Sequence, residues 1–135
     1  MLTVSKTFKF DVAHKLPFYN GKCSKLHGHT MKLRVVVSGA VIPYGPCQGM
    51  VMDFNDLKRI VKCKIVDVLD HAYLNEITDE GFPRNNPTAE KVVLWITNIL
   101  REYMEHYKWD QSKSLRLVSC RLWETEDSWA EVNSL

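Results

Sequence analysis

Apolar and polar residues alternate in two segments near the start of the chain, and this period of two predicts two β-strands. In the first segment, "FKFDVAH", one strand face carries Phe8, Phe10, Val12 and His14. In the second segment, from residue 27 to residue 37, one face carries His27, His29, Met31, Leu33, Val35 and Val37. The Asn-Gly of "YNGK" between them is a turn signal, because these residues tolerate positive φ angles. We expect an antiparallel pair joined by a loop that contains Cys23.

A helical period replaces the alternation in the middle of the chain and predicts two helices. Asp53 or Asn55 can cap the first helix, which ends at "LDHAYLN". Its apolar positions are Leu57, Ile60, Val61, Ile65, Val68 and Leu69. Thr88, which follows Pro87, can cap the second helix, and "WDQSKS" ends it. The apolar face of this helix consists of Val92, Val93, Ile96, Ile99, Leu100 and Tyr103.

Three further strands complete the predicted order of elements. "MVMDF" precedes the first helix and predicts a short strand, while "LRLVSCRLWE" and "SWAEV" predict two strands at the end of the chain. Strands therefore cluster at both ends and helices lie between them. This order favours an α+β fold, with an antiparallel sheet and two helices packed on one face, over alternating βαβ units. The chain shows no repeat or linker, so we expect one domain over residues 1–135.

Composition and charge narrow the functional classes. Charged residues make up 25% of the chain and apolar residues 45%, as in ordinary globular proteins. The four cysteines form no CxxC motif, the first residues are not a signal peptide, and no apolar run approaches the ~20 residues of a membrane span. We expect a soluble, cytoplasmic protein with free thiols that does not bind membranes. The net charge of only +2 also argues against nucleic-acid binding.

Positive charge is concentrated at the start of the chain. Residues 1–34 contain one acidic residue, Asp11, and seven basic residues: Lys6, Lys9, Lys15, Lys22, Lys25, Lys32 and Arg34. Such a field would attract a small anionic substrate. A solvated charged face is the simpler interpretation, and charge alone favours it.

The histidines of the two N-terminal strands are candidate metal ligands. His27 and His29 point the same way on one strand, and His14 can lie opposite or diagonal to them if the two strands pair. Three imidazoles on a rigid sheet, with a fourth position left for water or substrate, are typical of a catalytic zinc site. Buried structural histidines are the alternative that spacing alone leaves open.

Cys23 allows two interpretations. As a fourth metal ligand it would close the site and make it structural. As a nearby nucleophile or base it would act as a thiolate, which Lys22 and Lys25 on either side of it favour.

Two further segments carry candidate chemistry. Asp70 and His71 stand at a helix end, where they can relay protons or can form an ordinary C-terminal cap and turn. Glu124 follows an apolar strand end; its carboxylate can pair with the two N–H donors of a guanidine-like heterocycle, or can be an ordinary surface acid.

Six motifs in order resemble the 6-pyruvoyltetrahydropterin synthase family over nearly the whole chain: "FDVAHKL", "CSKLHGH", "GMVMDF", "LDHAYLN", "NPTAE" and "WET". Three residues separate Cys23 from "HGH". This spacing resembles the 6-carboxytetrahydropterin synthase branch of the queuosine (7-deazaguanine) pathway, whereas animal 6-pyruvoyl synthases have five residues there and a third branch has glutamate in place of the cysteine.

The resemblance implies the T-fold, a homohexamer built as a dimer of trimers, and active sites between subunits. It implies that Zn²⁺ is held by His14, His27 and His29. In this scheme Cys23 is the general base, linked to Asp70 and His71 as proton relays. The pterin ring is anchored by Glu124 with help from Thr88, and Lys25 is a further candidate for substrate binding.

The resemblance also implies a reaction. The predicted substrate is 7,8-dihydroneopterin triphosphate, and the predicted products are 6-carboxy-5,6,7,8-tetrahydropterin, triphosphate and acetaldehyde. One alternative is a 6-pyruvoyltetrahydropterin synthase, which eliminates triphosphate without losing the two-carbon fragment. An alternative of another class is a non-catalytic, zinc-stabilised binding protein in which Cys23 is the fourth ligand.

Overall fold

Two long antiparallel strands form the centre of the sheet in the computed structural model, which describes residues 1–106 and 115–133. Strand β1 covers Thr3–His14 and strand β2 covers His27–Ser38. They pair along their whole length, from Thr3 opposite Ser38 to His14 opposite His27. The predicted alternation is confirmed, since one face is buried and the other is largely exposed.

The sheet has five strands in the order β3-β1-β2-β4-β5. Strand β4 covers Arg116–Trp123 and pairs antiparallel with β2, while β5 covers Trp129–Asn133 and pairs antiparallel with β4. Both were predicted. The predicted antiparallel sheet therefore holds for its four long strands.

Strand β3 makes the sheet mixed and was not predicted. It comprises only Ala72–Tyr73, which pair in parallel with β1. The chain reaches this position because His71 adopts a left-handed conformation, with φ of 60°, directly after the first helix. The side-chain amide of Asn75 then holds the segment by accepting from the Lys15 N–H and donating to the Lys15 carbonyl. Two residues are too few for an alternation pattern to reveal.

The strand predicted for "MVMDF" is wrong. Val51 and Met52 are buried, at 3% and 4% exposure, but they pair with no strand. Their apolar character reflects packing under the first helix, which starts immediately afterwards. Local hydrophobicity does not distinguish a buried loop from a short buried strand.

Both predicted helices are present. The first consists of α1, Phe54–Val61, a π-helical segment, Lys62–Val66, and a last turn, α2, Asp67–Leu69. Its N-cap is Asp53, whose carboxylate accepts from the Asn55 N–H.

The second helix, α3, covers Ala89–His106. The Thr88 hydroxyl accepts from the Lys91 N–H at 3.2 Å, as a capping threonine does. The segment "WDQSKS", predicted to end this helix, lies outside the described residues.

The core forms between one face of the sheet and the two helices. Its centre includes fully buried residues from both layers: Met31, Leu33, Leu57, Ile65, Ile96, Leu100 and Leu122. The α+β prediction, with two helices on one face, is confirmed. Within the described ranges no helix is long and apolar enough to cross a bilayer. The buried face of β1 and β2 continues past the core into the histidine pair His14 and His27.

Candidate functional site

Three histidines meet where β1 ends and β2 begins. His14 pairs directly with His27, and His29 is two residues further along β2 on the same face. The ring centroids lie 4.6 Å apart for His14 and His27, 5.0 Å for His14 and His29, and 4.8 Å for His27 and His29. The fold therefore gathers three imidazoles in one cluster, which we call the histidine cluster.

Main-chain carbonyls orient two of the three rings. His14 Nδ1 lies 2.9 Å from the Pro87 carbonyl oxygen, and His27 Nδ1 lies 2.7 Å from that of Lys25. A carbonyl oxygen only accepts, so the proton of each neutral ring is on Nδ1 and the lone pair is on Nε2. This is the tautomer that a metal bound through Nε2 requires, with a carbonyl as the supporting partner.

The inward-facing nitrogens have no partner of their own. Nε2 of His14, His27 and His29 is buried and makes no hydrogen bond to any residue that the structure describes. A buried polar atom without a partner is costly, typically about 1–3 kcal/mol, and native structures rarely keep one without a functional reason. Three such atoms in one cluster indicate that the site receives a ligand.

Glu124 completes a group of four donors. Its Oε1 lies 3.0 Å from His29 Nε2 and 3.9 Å from His14 Nε2. One ligand atom from each of the three histidines and from Glu124 lies within 4.8 Å of all the others. Ligands bound tetrahedrally to zinc at about 2.0–2.1 Å lie roughly 3.3 Å from one another. The donor set and its spacing therefore fit a zinc ion.

Burial favours the metal-binding form of two of the histidines, His14 and His29. Desolvation lowers the pKa of His14, against opposing effects of the Pro87 carbonyl and the Glu124 charge. Desolvation likewise lowers the pKa of His29, although the nearby Glu124 carboxylate acts in the other direction. Both rings are therefore favoured as neutral imidazoles, the state in which histidine binds a metal.

The structure places Cys23 outside this four-donor group. Cys23 lies in a 3₁₀ turn, Lys22–Ser24, is half-buried, and accepts the Leu16 N–H at its carbonyl, 2.7 Å away. Its thiol is not among the ligand atoms that lie within 4.8 Å of one another. Lys25, predicted to bind substrate, has an exposed side chain, and its main-chain carbonyl orients His27.

Asp70 and His71 form a second, separate cluster at the edge of β1. Asp70 Oδ1 lies 3.0 Å from His71 Nδ1 and accepts the Asp11 N–H at 3.0 Å, while the His71 N–H donates to the Asp11 carbonyl. The Asp11 carboxylate accepts from the Thr30 hydroxyl. These hydrogen bonds, first that of the Asp11 N–H and then that of His71, lower the pKa of Asp70. We call Asp70 and His71 the edge pair.

The edge pair does not meet the histidine cluster within one chain. Asp11 and His14 lie on opposite faces of β1, and three residues of strand separate them by about 10 Å. His71 is 78% exposed and Asp70 39%, so both face outward. The structure thus brings His14, His27, His29 and Glu124 together, and places Cys23 and the edge pair elsewhere.

Several features of the site could not be predicted from the sequence. The carbonyls of Pro87 and Lys25 give no signal because any residue supplies the same atom. Thr88, predicted to bind substrate, caps α3 with its hydroxyl, and its neighbour Pro87 is the residue that contacts the histidine cluster. Glu124 was predicted as a ring anchor, and its place beside His29 follows only from the pairing of β2 with β4.

The chain is similar to known proteins along almost its whole length. The 6-pyruvoyl tetrahydropterin synthase family model matches residues 3–134. The 6-carboxy-5,6,7,8-tetrahydropterin synthase of Haemophilus influenzae is 38% identical over 97% of this chain and 98% of its own. The dihydroneopterin monophosphate aldolase of Pyrococcus furiosus is 35% identical over 91% of this chain and 90% of its own.

A solved structure shows the same fold. The 6-pyruvoyl tetrahydropterin synthase of Caenorhabditis elegans superimposes with a TM-score of 0.76 at 23% identity, over 99% of this chain and 96% of that one. At this identity the likeness concerns the fold, and it confirms the predicted T-fold.

Proposed function

Because the chain belongs to the 6-pyruvoyl tetrahydropterin synthase family, we propose that it is a zinc-dependent 6-carboxy-5,6,7,8-tetrahydropterin synthase of queuosine (7-deazaguanine) biosynthesis. Its substrate is 7,8-dihydroneopterin triphosphate, and its products are 6-carboxytetrahydropterin, triphosphate and acetaldehyde. The observation that carries the proposal is the set of three buried, unpartnered Nε2 atoms beside Glu124. The name and near-complete coverage of the Haemophilus influenzae relative support the choice of reaction.

In this proposal each residue of the chain has a defined task. His14, His27 and His29 would hold Zn²⁺, and the ion would supply Lewis-acid chemistry that polarises the side-chain hydroxyls of the substrate and acidifies the adjacent C–H bonds. Cys23 accepts a proton from the substrate side chain as a thiolate. The edge pair, Asp70 and His71, passes protons to and from the reacting atoms.

Substrate binding uses other groups. Glu124 anchors the pterin ring through a carboxylate that accepts from two ring donors. Thr88 and Lys25 remain predicted contacts, although the hydroxyl of Thr88 is already engaged in capping α3. Lys25 belongs to the basic N-terminal segment, whose field suits a triphosphate.

We place the complete active site between subunits of a homohexamer. Within one chain the edge pair lies apart from the histidine cluster, so a neighbouring copy must supply it if the two act together. The loop around Cys23 carries exposed apolar side chains, with Phe18 81%, Tyr19 57% and Leu26 63% exposed. Such a patch is typical of a contact surface. The edge strand β5 also leaves backbone groups available for pairing across subunits.

Two alternative functions compete with this proposal. A 6-pyruvoyltetrahydropterin synthase would eliminate triphosphate and keep the two-carbon fragment. A zinc-stabilised binding protein would need Cys23 as the fourth ligand, and the position of its thiol outside the four-donor group counts against this reading.

Product analysis tests the proposal. Zinc-loaded protein is incubated with 7,8-dihydroneopterin triphosphate, and mass spectrometry measures the pterin product, triphosphate and acetaldehyde. We expect 6-carboxytetrahydropterin with about equal amounts of acetaldehyde. A 6-pyruvoyl product without acetaldehyde would replace the proposed reaction by the first alternative. Turnover of a monophosphate substrate alone would favour the activity named for the Pyrococcus furiosus relative.

A matched pair of cysteine variants separates catalysis from structure. Cys23→Ala should abolish turnover while zinc content and folding stay as in the parent. The control, Cys63→Ala, removes an exposed thiol in the π-helical segment of the first helix and should behave like the parent. Loss of zinc and of folding in Cys23→Ala would instead identify a structural ligand.

A further inference from the structure

We propose that Glu124 is the fourth protein ligand of the metal in the substrate-free enzyme, and that binding of the pterin ring draws it away. The carboxylate would thus have two alternating partners, the metal and the ring. The second half of this inference rests on the proposed function, since it requires a pterin ligand. The first half requires only that the four-donor group binds a metal.

The position of Glu124 supports its assignment as the fourth metal ligand. Its Oε1 is 3.0 Å from His29 Nε2, yet this nitrogen has no hydrogen bond because the contact lacks the required geometry. This spacing is close to the roughly 3.3 Å that separates two ligands of one tetrahedral zinc ion. The side chain is 23% exposed, so it is sheltered at one end and reachable from solvent at the other.

The hairpin between β4 and β5 keeps the carboxylate at this place. Trp123 and Trp129 close the ladder as a cross-strand pair, and the Glu124 N–H donates to the Ser128 carbonyl at 2.9 Å. The backbone at Glu124 is therefore fixed, while the turn that follows, residues 125–128, is exposed. The side chain can change partner by rotation about its own bonds, with no movement of the sheet.

The two roles of Glu124 compete for the same carboxylate oxygens. Pairing with the two adjacent donors of a pterin ring uses both carboxylate oxygens. One of these is Oε1, the atom that faces His29 Nε2 and His14 Nε2. A ring that pairs with both oxygens turns the plane of the carboxylate toward its own donors, and we infer that this rotation draws Oε1 away from the metal and vacates one coordination position.

The exchange requires the pterin ring to bind before a side-chain hydroxyl of the substrate reaches the metal. Without a ring the metal has four protein ligands and no position for other molecules. With the ring bound, three histidines remain and the vacated position accepts a substrate hydroxyl, as catalytic zinc sites require. The enzyme would thus activate only side chains that are attached to a ring already anchored by Glu124.

Metal titration tests the first half. Metal-free parent, Glu124→Gln and Glu126→Gln proteins are titrated with Zn²⁺ in competition with a chelator. We expect Glu124→Gln to bind zinc at least about tenfold more weakly, since even supporting residues of metal sites contribute about 10–100-fold. Glu126 is exposed in the same turn and serves as the control that should match the parent. Equal affinity in all three proteins would overturn the assignment.

Cobalt spectroscopy tests the exchange. Co²⁺ is substituted for zinc, and its visible spectrum, which depends on ligand number and geometry, is recorded with and without a pterin that lacks the hydroxylated side chain. This pterin can occupy the ring site but has no side-chain hydroxyl to bind the metal, and Glu124→Gln with the same pterin controls for direct contact between ring and metal. We expect it to change the spectrum of the parent toward that of pterin-free Glu124→Gln. No change at saturating pterin would overturn the exchange.

The outcomes also separate this inference from the proposed function. A parent protein that binds neither zinc nor cobalt would remove both together. A parent that binds metal with the same affinity and spectrum as Glu124→Gln would remove only the inference, and leave the three-histidine site in place.

Discussion

The histidine cluster and the edge pair contain the same chemical groups in opposite settings. In the cluster, imidazoles and the Glu124 carboxylate are buried or half-buried, and three ring nitrogens have no hydrogen-bond partner. In the edge pair, His71 and Asp70 are exposed, and the Asp70 carboxylate already has two partners. The Nε2 atoms of the histidine cluster therefore have no hydrogen-bond partner among the described residues. The edge pair has its internal hydrogen bonds and faces away from the molecule.

This difference indicates how each region is completed. An ion small enough to enter a buried cluster satisfies the histidines and adds to the stability of the folded state by mass action. The edge pair instead requires a group that approaches from outside, such as substrate or a neighbouring subunit. Its backbone is also strained, since His71 is a non-glycine residue with φ of 60°, and strain of this kind is concentrated at functional sites.

Removal of a cluster histidine should have the largest effect. His27→Ala and His29→Ala are expected to lose the bound metal, which the parent should carry at about one zinc per chain, because each variant removes one of the three imidazoles proposed to hold it. His71→Ala is the matched control from the other region and should keep its zinc. Metal analysis of the purified proteins checks this. Full zinc retention in both cluster variants would show that the histidine cluster does not hold the metal.

The edge pair should affect rate without affecting metal. Asp70→Asn should lower turnover by about 10²–10⁴-fold, the usual contribution of a proton-transfer residue, with zinc content unchanged. Asp67→Asn is the control, since Asp67 is an exposed acid of the same helix end that pairs with Lys62. Steady-state kinetics on metal-loaded proteins gives the comparison. Unchanged turnover in Asp70→Asn would mean that the edge pair has only a structural role in the turn after the first helix.

Cysteine reactivity tests whether the Cys23 thiol is activated. We expect Cys23, the proposed base, to alkylate fastest near neutral pH, since a thiol activated for the reaction also reacts readily with an alkylating reagent. Cys120 should be slowest, since it is fully buried and burial raises its pKa to about 11. Mass mapping after brief alkylation ranks the four thiols. The exposed Cys63 is the decisive reference, and a Cys63 that reacts faster than Cys23 would argue against an activated base.

Backbone strain at the edge pair predicts a smaller change in stability. Both His71→Gly and His71→Ala remove the imidazole, but only glycine adopts positive φ without a steric cost. The glycine variant should therefore be more stable than the alanine variant by about 1 kcal/mol. Urea denaturation of the two variants measures the difference. Equal stability would show that φ at this position carries no strain.

The smallest effect concerns pH. Because folding lowers the pKa of Asp70, its ionised form stabilises the folded state above the ordinary pKa of 3.8, and this stabilisation is lost as pH falls through the lower folded value. Asp70→Asn should be less stable than the parent near pH 7, and the difference should disappear in strong acid. Denaturation at several pH values checks this. A difference that grows on acidification would reverse the sign and refute the role of the Asp11 N–H.

Much of the fold and part of the site followed from local patterns. Alternation placed His14, His27 and His29 on the core face of two strands, because successive side chains of a strand point to opposite sides. The cap at Asp53 and the start of α3 after Thr88 were predictable, since a capping side chain satisfies backbone N–H groups only a few residues away. These features depend on neighbours in sequence.

Other features depend on residues far apart in the chain, and the tertiary structure alone decided them. The Pro87 carbonyl reaches His14 across 73 positions, and a carbonyl leaves no trace in residue identity. The parallel pairing of β3 depends on the unusual φ of His71 rather than on apolar alternation. Glu124 lies beside His29 because β2 and β4 pair with Trp123 opposite Lys32, and strand register is a property of packed sheets, in which the buried faces must match.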